Sequence, residues 1–337
     1  MKDIAILGAG SWGTALGVSL SANGHQVRLW GRDENKLREM AASRENRHYL
    51  PGVSLPAGLR PTYSRQEALA AAEIAVFAVP AQRFRAALTE ASPYLRAGQI
   101  IINAAKGIEQ NSLKRLSEVA AQVFPAGRYV ALSGPSHAEE VGLGLPTTLV
   151  AAAGDRALAE IAQDALMSEN LRVYTSTDII GVELGGALKN IIALGAGIAD
   201  GLGFGDNTKA AMMTRGLAEI SRLGLALGAQ ENTFFGLTGI GDLIVTCTSV
   251  HSRNRRCGIL IGEGVPPAAA AERVGMVVEG MFTTAAAYEL AARERVAMPI
   301  TEHIRAVLLG ETTPRAAVSS LMTRGRKHER EEETLRG

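Results

Sequence analysis

Ile4-Ala5-Ile6-Leu7-Gly8-Ala9-Gly10-Ser11-Trp12-Gly13-Thr14-Ala15 is the stretch whose reading decides the fold. A short apolar run ends in G-x-G-x-x-G, and Ala15, Leu16, Val18, Ser19 and Leu20 continue at helical spacing. The string therefore reads strand, tight turn, helix. Gly8 lets the chain turn at the strand end, Gly10 has no side chain to hold a pyrophosphate away, and Gly13 lets the helix pack close on the sheet. The helix N-terminus adds unpaired N–H groups and a positive dipole end. A second strand-like run, His25-Gln26-Val27-Arg28-Leu29-Trp30, follows at βαβ distance, so the opening predicts a dinucleotide-binding unit.

The end of that second strand bears on which dinucleotide. A site selective for NAD places an acid there to accept from the ribose 2′-OH, whereas an NADP site uses an Arg for the 2′-phosphate. This chain has Trp30-Gly31-Arg32, and Asp33 and Glu34 suit the first turn of the next helix. Two readings stand. Either Arg32 meets the 2′-phosphate, which favours NADPH over NADH, or Arg32 is a solvated loop residue and Asp33 reaches the ribose.

Outward from this opening, 337 residues suffice for two domains, and 47% hydrophobic with 20% charged residues is the balance of a globular enzyme. A net charge of +1 argues against nucleic acid or a membrane surface as partner. Cys247 and Cys257 lack metal-ligand spacing and are read as reduced thiols in a cytoplasmic protein, with no metal expected. The first apolar run stops at the glycine turn, so no secretory leader is expected, and no apolar stretch is long enough to predict a membrane span.

Further along, Glu34–Met40 reads as a helix and Asn46–Gly52 as a loop closed by a Pro-Gly turn. Ala72–Pro80, Gly98–Gly107, Tyr129–Leu132, Thr147–Ala151 and Arg172–Thr175 read as strands of a mostly parallel sheet that finishes near Thr177. Polar residues gather at the strand ends, where such sheets bind ligands. Lys106 is one of them, as site residue or as surface lysine. His137 is another, read as a loop histidine near the site because no acid is in place to orient it as a base.

From Asp178 the texture becomes helical and rich in Ala, Leu, Gly and Ile. Glu183, Lys189 and Asn190 interrupt an otherwise apolar helix, and such charges are costly unless paired or used. Gly185 and Gly186 share a face with Lys189, which predicts a bare surface with room for a ligand; a structural ion pair is the other reading. Gly201–Lys209 reads as a polar loop, Ala210–Leu227 as a helix, and Gly239–Leu243 as a second polar cluster. Ser252-Arg253-Asn254-Arg255-Arg256 has the residue types that hold a phosphate, although a solvated basic face is the usual fate of such a run. The end, from about residue 324, is nearly all charge and is expected to fray.

Assembled, Gly-Ala-Gly-Ser-Trp-Gly-Thr-Ala at 8–15, Asn-Ala-Ala-Lys-Gly at 103–107, Ser-Gly-Pro-Ser-His-Ala at 133–138, Glu-Leu-Gly-Gly-Ala-Leu-Lys-Asn at 183–190, Gly-Asp-Asn-Thr-Lys at 205–209 and Ser-Arg-Asn at 252–254 resemble bacterial NAD(P)-dependent glycerol-3-phosphate dehydrogenase. The resemblance implies a Rossmann-like α/β domain over 1–177 and an all-α domain of the 6-phosphogluconate dehydrogenase C-terminal type over 178–337. It implies reduction of dihydroxyacetone phosphate to sn-glycerol 3-phosphate, a phospholipid precursor, with NADPH or NADH, in a cytoplasmic homodimer. Lys189 would be the acid/base, Lys106 would polarise the same oxygen and touch both coenzyme and substrate, and Asp242 would orient the lysines and the substrate hydroxyls. Gly134, Ser136, Ser252, Arg253 and Asn254 would meet the substrate. Ser11, Trp12, Arg32, Tyr49, Ala138, Arg253, Val277 and Glu279 would join the glycines on the dinucleotide. Two rival readings are a β-hydroxyacid or 6-phosphogluconate type dehydrogenase and a dinucleotide sensor without chemistry. Arg253 with its neighbours speaks against the first and an intrahelical lysine against the second.

Overall fold

The computed structural model describes residues 1–325. Strands β1 (Asp3–Leu7), β2 (Gln26–Trp30), β5 (Leu59–Thr62), β6 (Ile74–Phe77), β7 (Ile100–Asn103), β8 (Arg128–Ser133), β9 (Thr147–Ala152) and β10 (Leu171–Ser176) form one sheet in the order β10-β9-β8-β7-β6-β1-β2-β5. All neighbours run parallel except β8 and β9. Helices α1 (Ser11–Ala22), α2 (Glu34–Ser43), α3 (Arg65–Leu69), α4 (Phe84–Ala91), α5 (Leu116–Val123), α6 (Ala138–Gly142) and α7 (Arg156–Leu166) accompany it. Ile4 to Leu7 and Ile74 to Phe77 are buried throughout, as strands covered on both faces must be.

The chain leaves β1 toward β2 on one side and returns to β6 on the other, so the ends of β1 and β6 part and leave a crevice. The glycine turn sits there. Gly8 has φ +124°, and a Cβ on it would lie 2.4 Å from the Ala78 carbonyl oxygen. A Cβ on Gly13 would lie 1.9 Å from the Gly8 carbonyl oxygen, so only glycine lets α1 start this close to the strand.

Three segments differ from their sequence reading. Within the expected 46–52 loop, β3 (Glu45–Asn46) and β4 (Leu50–Ser54) pair antiparallel, because Leu50 and Val53 are buried against Ala15, Ala138 and Val141. Strand β5 was not expected, since Pro61 interrupts it; as the edge strand it pairs only with β2, where a missing N–H is tolerated. The 201–209 loop ends early, because Asp206 to Lys209 are already the first turn of a helix that Gly205 caps.

After β10 the chain is helical: α8 (Ile179–Gly201), α9 (Asp206–Ala226), α10 (Glu231–Phe234), a π-helical turn (Leu237–Gly241), α11 (Asp242–Thr248), α12 (Arg253–Gly262), α13 (Pro267–Val274), α14 (Glu279–Glu294), α15 (Pro299–Leu308) and α16 (Pro314–Met322). Every residue of α8 from Leu184 to Ala199 is buried. By length and composition α8 could cross a membrane, with a mean hydropathy of 1.5, but 83% of that apolar window is buried inside the protein. Helix α12 packs on it backbone to backbone: a Cβ on Gly197 would lie 2.1 Å from the Arg255 carbonyl oxygen, and one on Gly258 2.1 Å from that of Leu194. From residue 326 the charged end lies outside the described residues.

Candidate active site

A cavity of about 1340 Å³ runs from the glycine turn to the first turns of α12 and α14, between the two halves of the chain. Gly8, Gly10, Ser11 and Trp12 line one end. A Cβ on Gly10 would meet nothing within 4 Å, and Gly10 caps α1 without a side chain, so the first N–H groups of the helix are left for a ligand. This cradle fits a dinucleotide. Arg32, Tyr49, Lys106, Ala138, Arg253, Val277 and Glu279 line the same cavity, whereas Gly13 lies behind it, packed on Gly8.

At the other end Lys189, Lys106 and Asp242 form one cluster. Lys189 projects from the middle of α8, and its Nζ donates to Asp242 Oδ1 at 2.5 Å and to Thr246 Oγ1 at 2.7 Å. Lys106, on the loop after β7, donates to Asp242 Oδ2 at 2.7 Å, to the Gly134 carbonyl at 2.7 Å and to Ser136 Oγ at 3.4 Å. Asp242 opens α11 directly after the π-helical turn and is 1% exposed. It stands behind the lysines, as Gly134 does, while Lys106, Ser136 and Lys189 reach the cavity.

Two cations thus share one buried anion, and the electrostatics follow. Burial pulls the Lys189 ammonium down to about 8; Asp242 opposes this and the Lys106 charge assists it. Burial alone would raise Asp242, but the two ammonium groups outweigh it and hold the carboxyl below its usual range. At neutral pH the cluster therefore carries a proton on Lys189 that is easily lost.

Sequence reading missed Thr246, whose hydroxyl accepts from Lys189 and donates to the Asp242 carbonyl at 2.6 Å. Its position four residues after Asp242 on one helix was the available signal. The expected bare surface beside Lys189 is instead filled by protein. A Cβ on Gly185 would lie 2.6 Å from the Thr238 carbonyl oxygen, and one on Gly186 2.5 Å from Ser133 Oγ. Both glycines are needed for packing, and the ligand space lies on the lysine's other side.

The basic run divides by helix phase. Ser252 caps α12 by accepting from the Arg255 N–H at 3.2 Å, and Arg253 lines the cavity. Asn254 donates to Asn190 Oδ1 at 2.8 Å and accepts from the Gly280 N–H at 2.9 Å, which ties α12 to α8 and α14. Arg255 turns away to Asp200 at 2.7 Å, and Arg256 is exposed. Burial lowers Arg253 from its usual value, with Glu279 and Glu139 working against the shift. Glu279 accepts from the Ala81 N–H at 2.9 Å, a bond between the halves, and burial raises its carboxyl.

His137 lines the cavity beside His251, ring centroids 5.9 Å apart. Its Nε2 is buried without a hydrogen-bond partner, and burial together with the Lys189 charge holds the ring below its usual value. Among the described residues no group of three His, Cys, Asp or Glu side chains is placed to hold a metal ion, and both cysteines are buried free thiols.

Comparison with known proteins agrees in both halves. Residues 3–159 match the family model described as NAD-dependent glycerol-3-phosphate dehydrogenase N-terminus, and residues 178–319 match the corresponding C-terminus. A glycerol-3-phosphate dehydrogenase [NAD(P)+] of Pelotomaculum thermopropionicum is 56% identical over 335 residues, covering 98% of this chain and 96% of its own length. One from Bacillus velezensis is 51% identical, covering 98% and 97%. The crystal structure of glycerol-3-phosphate dehydrogenase from Coxiella burnetii superposes with a TM-score of 0.93 at 37% identity, over 96% of this chain and 99% of that one. With the glycine turn, the lysine pair and the Ser-Arg-Asn turn at one cavity, and with both family models matched in order, the chain belongs to the NAD-dependent glycerol-3-phosphate dehydrogenase family.

Proposed function

We propose that this protein interconverts dihydroxyacetone phosphate and sn-glycerol 3-phosphate with NADPH or NADH as coenzyme. The observation that carries the reading is the pair of lysines on one buried aspartate, set at the wall of a cavity that also holds a dinucleotide cradle and Arg253. Bound coenzyme supplies or accepts the hydride at C2 of the three-carbon phosphate. Lys189 as ammonium donates its proton to the carbonyl oxygen, and as amine takes the hydroxyl proton in the reverse direction. A lysine drawn down to about 8 suits both tasks.

Lys106 polarises the same oxygen and touches the coenzyme. Asp242 holds both ammonium groups in place and keeps their charges from driving each other apart. Arg253 neutralises the substrate phosphate beside Ser252 and Asn254, with Ser136 at the substrate wall and Gly134 behind it, its carbonyl holding Lys106. Gly8, Gly10, Ser11 and Trp12 hold the pyrophosphate, Gly13 keeps their turn tight, and Arg32, Tyr49, Ala138, Val277 and Glu279 contact the rest of the dinucleotide. The product would feed glycerophospholipid synthesis. The proposed setting, a cytoplasmic homodimer, is carried by the family resemblance alone.

The test is the initial rate of NADPH and NADH oxidation with dihydroxyacetone phosphate against 3-hydroxyisobutyrate in the reverse assay. Turnover confined to the phosphate is the expected result. Turnover of the hydroxyacid alone, or of neither, overturns the reading.

A further inference from the structure

Arg32 and Lys36 line the cavity beyond the end of β2, at the side where the second strand of a dinucleotide-binding unit meets the coenzyme's adenosine ribose. Nearby cations are matched with carboxylates: Arg38 with Glu34, Arg47 with Glu45 and Arg65 with Glu90. Among the described residues neither Arg32 nor Lys36 has an ion pair. Lys36 Nζ instead donates to the Tyr49 hydroxyl at 3.3 Å and stands 5.1 Å from the centre of that ring. An ammonium held by a neutral phenol keeps its charge and donors available to an anion.

The acid that would accept from a bare ribose is engaged differently. Asp33 caps α2, and its Oδ1 accepts from the backbone N–H of Lys36 at 3.1 Å. The cavity thus offers two cations without an ion pair at this end, and Asp33, which lines it beside them, has one oxygen turned to the helix. Such a surface is matched by a phosphate monoester and not by two hydroxyls.

We propose that Lys36, positioned by Tyr49, is with Arg32 a binding residue for the coenzyme's 2′-phosphate and the determinant that makes NADPH the preferred coenzyme. The proposal rests on the dinucleotide reading above but not on the identity of the substrate.

The experiment therefore uses ligands that need no turnover. Binding of 2′,5′-ADP and of 5′-AMP to the full-length protein is measured by calorimetry for wild type, Lys36→Ala, Lys36→Arg and Arg32→Ala. Wild type should bind 2′,5′-ADP more tightly than 5′-AMP. Lys36→Ala should weaken 2′,5′-ADP about tenfold, the worth of one charge-assisted hydrogen bond, and change 5′-AMP less than about twofold. Lys36→Arg should restore most of the loss. The ratio of kcat/KM for NADPH over NADH should fall in parallel. Equal affinity of wild type for the two nucleotides, or equal weakening of both by Lys36→Ala, overturns the proposal. If 2′,5′-ADP behaves as expected while dihydroxyacetone phosphate is not turned over, the reaction assigned above fails and the Lys36 assignment stands.

Discussion

Glu183 and Lys189 lie less than two turns apart on α8, and in sequence they look alike: one charge each in an apolar helix. Their surroundings differ in one respect that separates structure from chemistry. Glu183 accepts from Arg115 Nη1 at 2.9 Å, from the Ser117 N–H at 2.8 Å and hydroxyl at 2.6 Å, and from the Tyr129 hydroxyl at 2.7 Å. Its donors match its lone pairs, and it fastens α8 to α5 and β8. Burial still raises its carboxyl, with Ser117, Arg115 and Tyr129 opposing. At Lys189 the balance is broken, with two ammonium groups for one carboxylate and a cavity on the open side. On the proposed reading, the buried charge with a full complement of partners is a joint, and the one left in surplus beside a cavity is the reagent.

Lys189→Ala tests this contrast with the largest expected effect. Steady-state rates should fall by about 10³-fold, the middle of the range for removal of a general acid, while the thermal midpoint stays near wild type because Lys106 still pairs Asp242. A loss below tenfold, or a midpoint that collapses with the rate, would erase the distinction. Glu183→Ala should show the reverse pattern. Leaving Arg115 and Tyr129 without their acceptor should cost about 3 kcal/mol in denaturant unfolding, with kcat per folded molecule changed only a few-fold. Abolished turnover in a fully folded Glu183→Ala protein would place that joint in the chemistry.

The smallest and most informative effect is in pH. If Lys189 has the proposed role, reduction needs its ammonium, so kcat/KM for dihydroxyacetone phosphate should fall as pH rises through about 8, and that for sn-glycerol 3-phosphate should rise over the same interval. The Thr246 hydroxyl accepts from the charged form and so favours it. Thr246→Val should move both limbs to lower pH with a modest loss of rate. Limbs that stay in place would show that another group titrates.

Much of this was legible in residues 4–15 and in the fully buried strands, because an apolar run that ends in glycine has few other uses. Strand β5 was not, since Leu59-Arg60-Pro61-Thr62 has the look of a loop until its edge position is known. Three arginines in a row of four could not be told apart, because only helix phase sends Arg253 to the cavity and Arg255 to Asp200. Gly185 and Gly186 misled for a related reason: a bare helix face announces a close neighbour without saying whether it is ligand or protein. Lys106 and Asp242 stand 2.7 Å apart although 136 positions separate them, and no local pattern encodes such a meeting.

The crossing of α8 and α12 has a consequence for what the protein can become. Lys189 sits on one helix and Arg253 on the other, and where the two cross at Gly197 and Gly258 glycine lies against main chain, with no side chain at those points to absorb a change. Under the proposed roles, the span from the reacting carbon to the phosphate is written into a gap between backbones. Variation among cavity-lining side chains can retune affinity, but a longer or shorter substrate would demand a different spacing of the helices themselves. On those roles, this chain's fit to a three-carbon skeleton would rest in part on Gly197 and Gly258, which do not line the cavity.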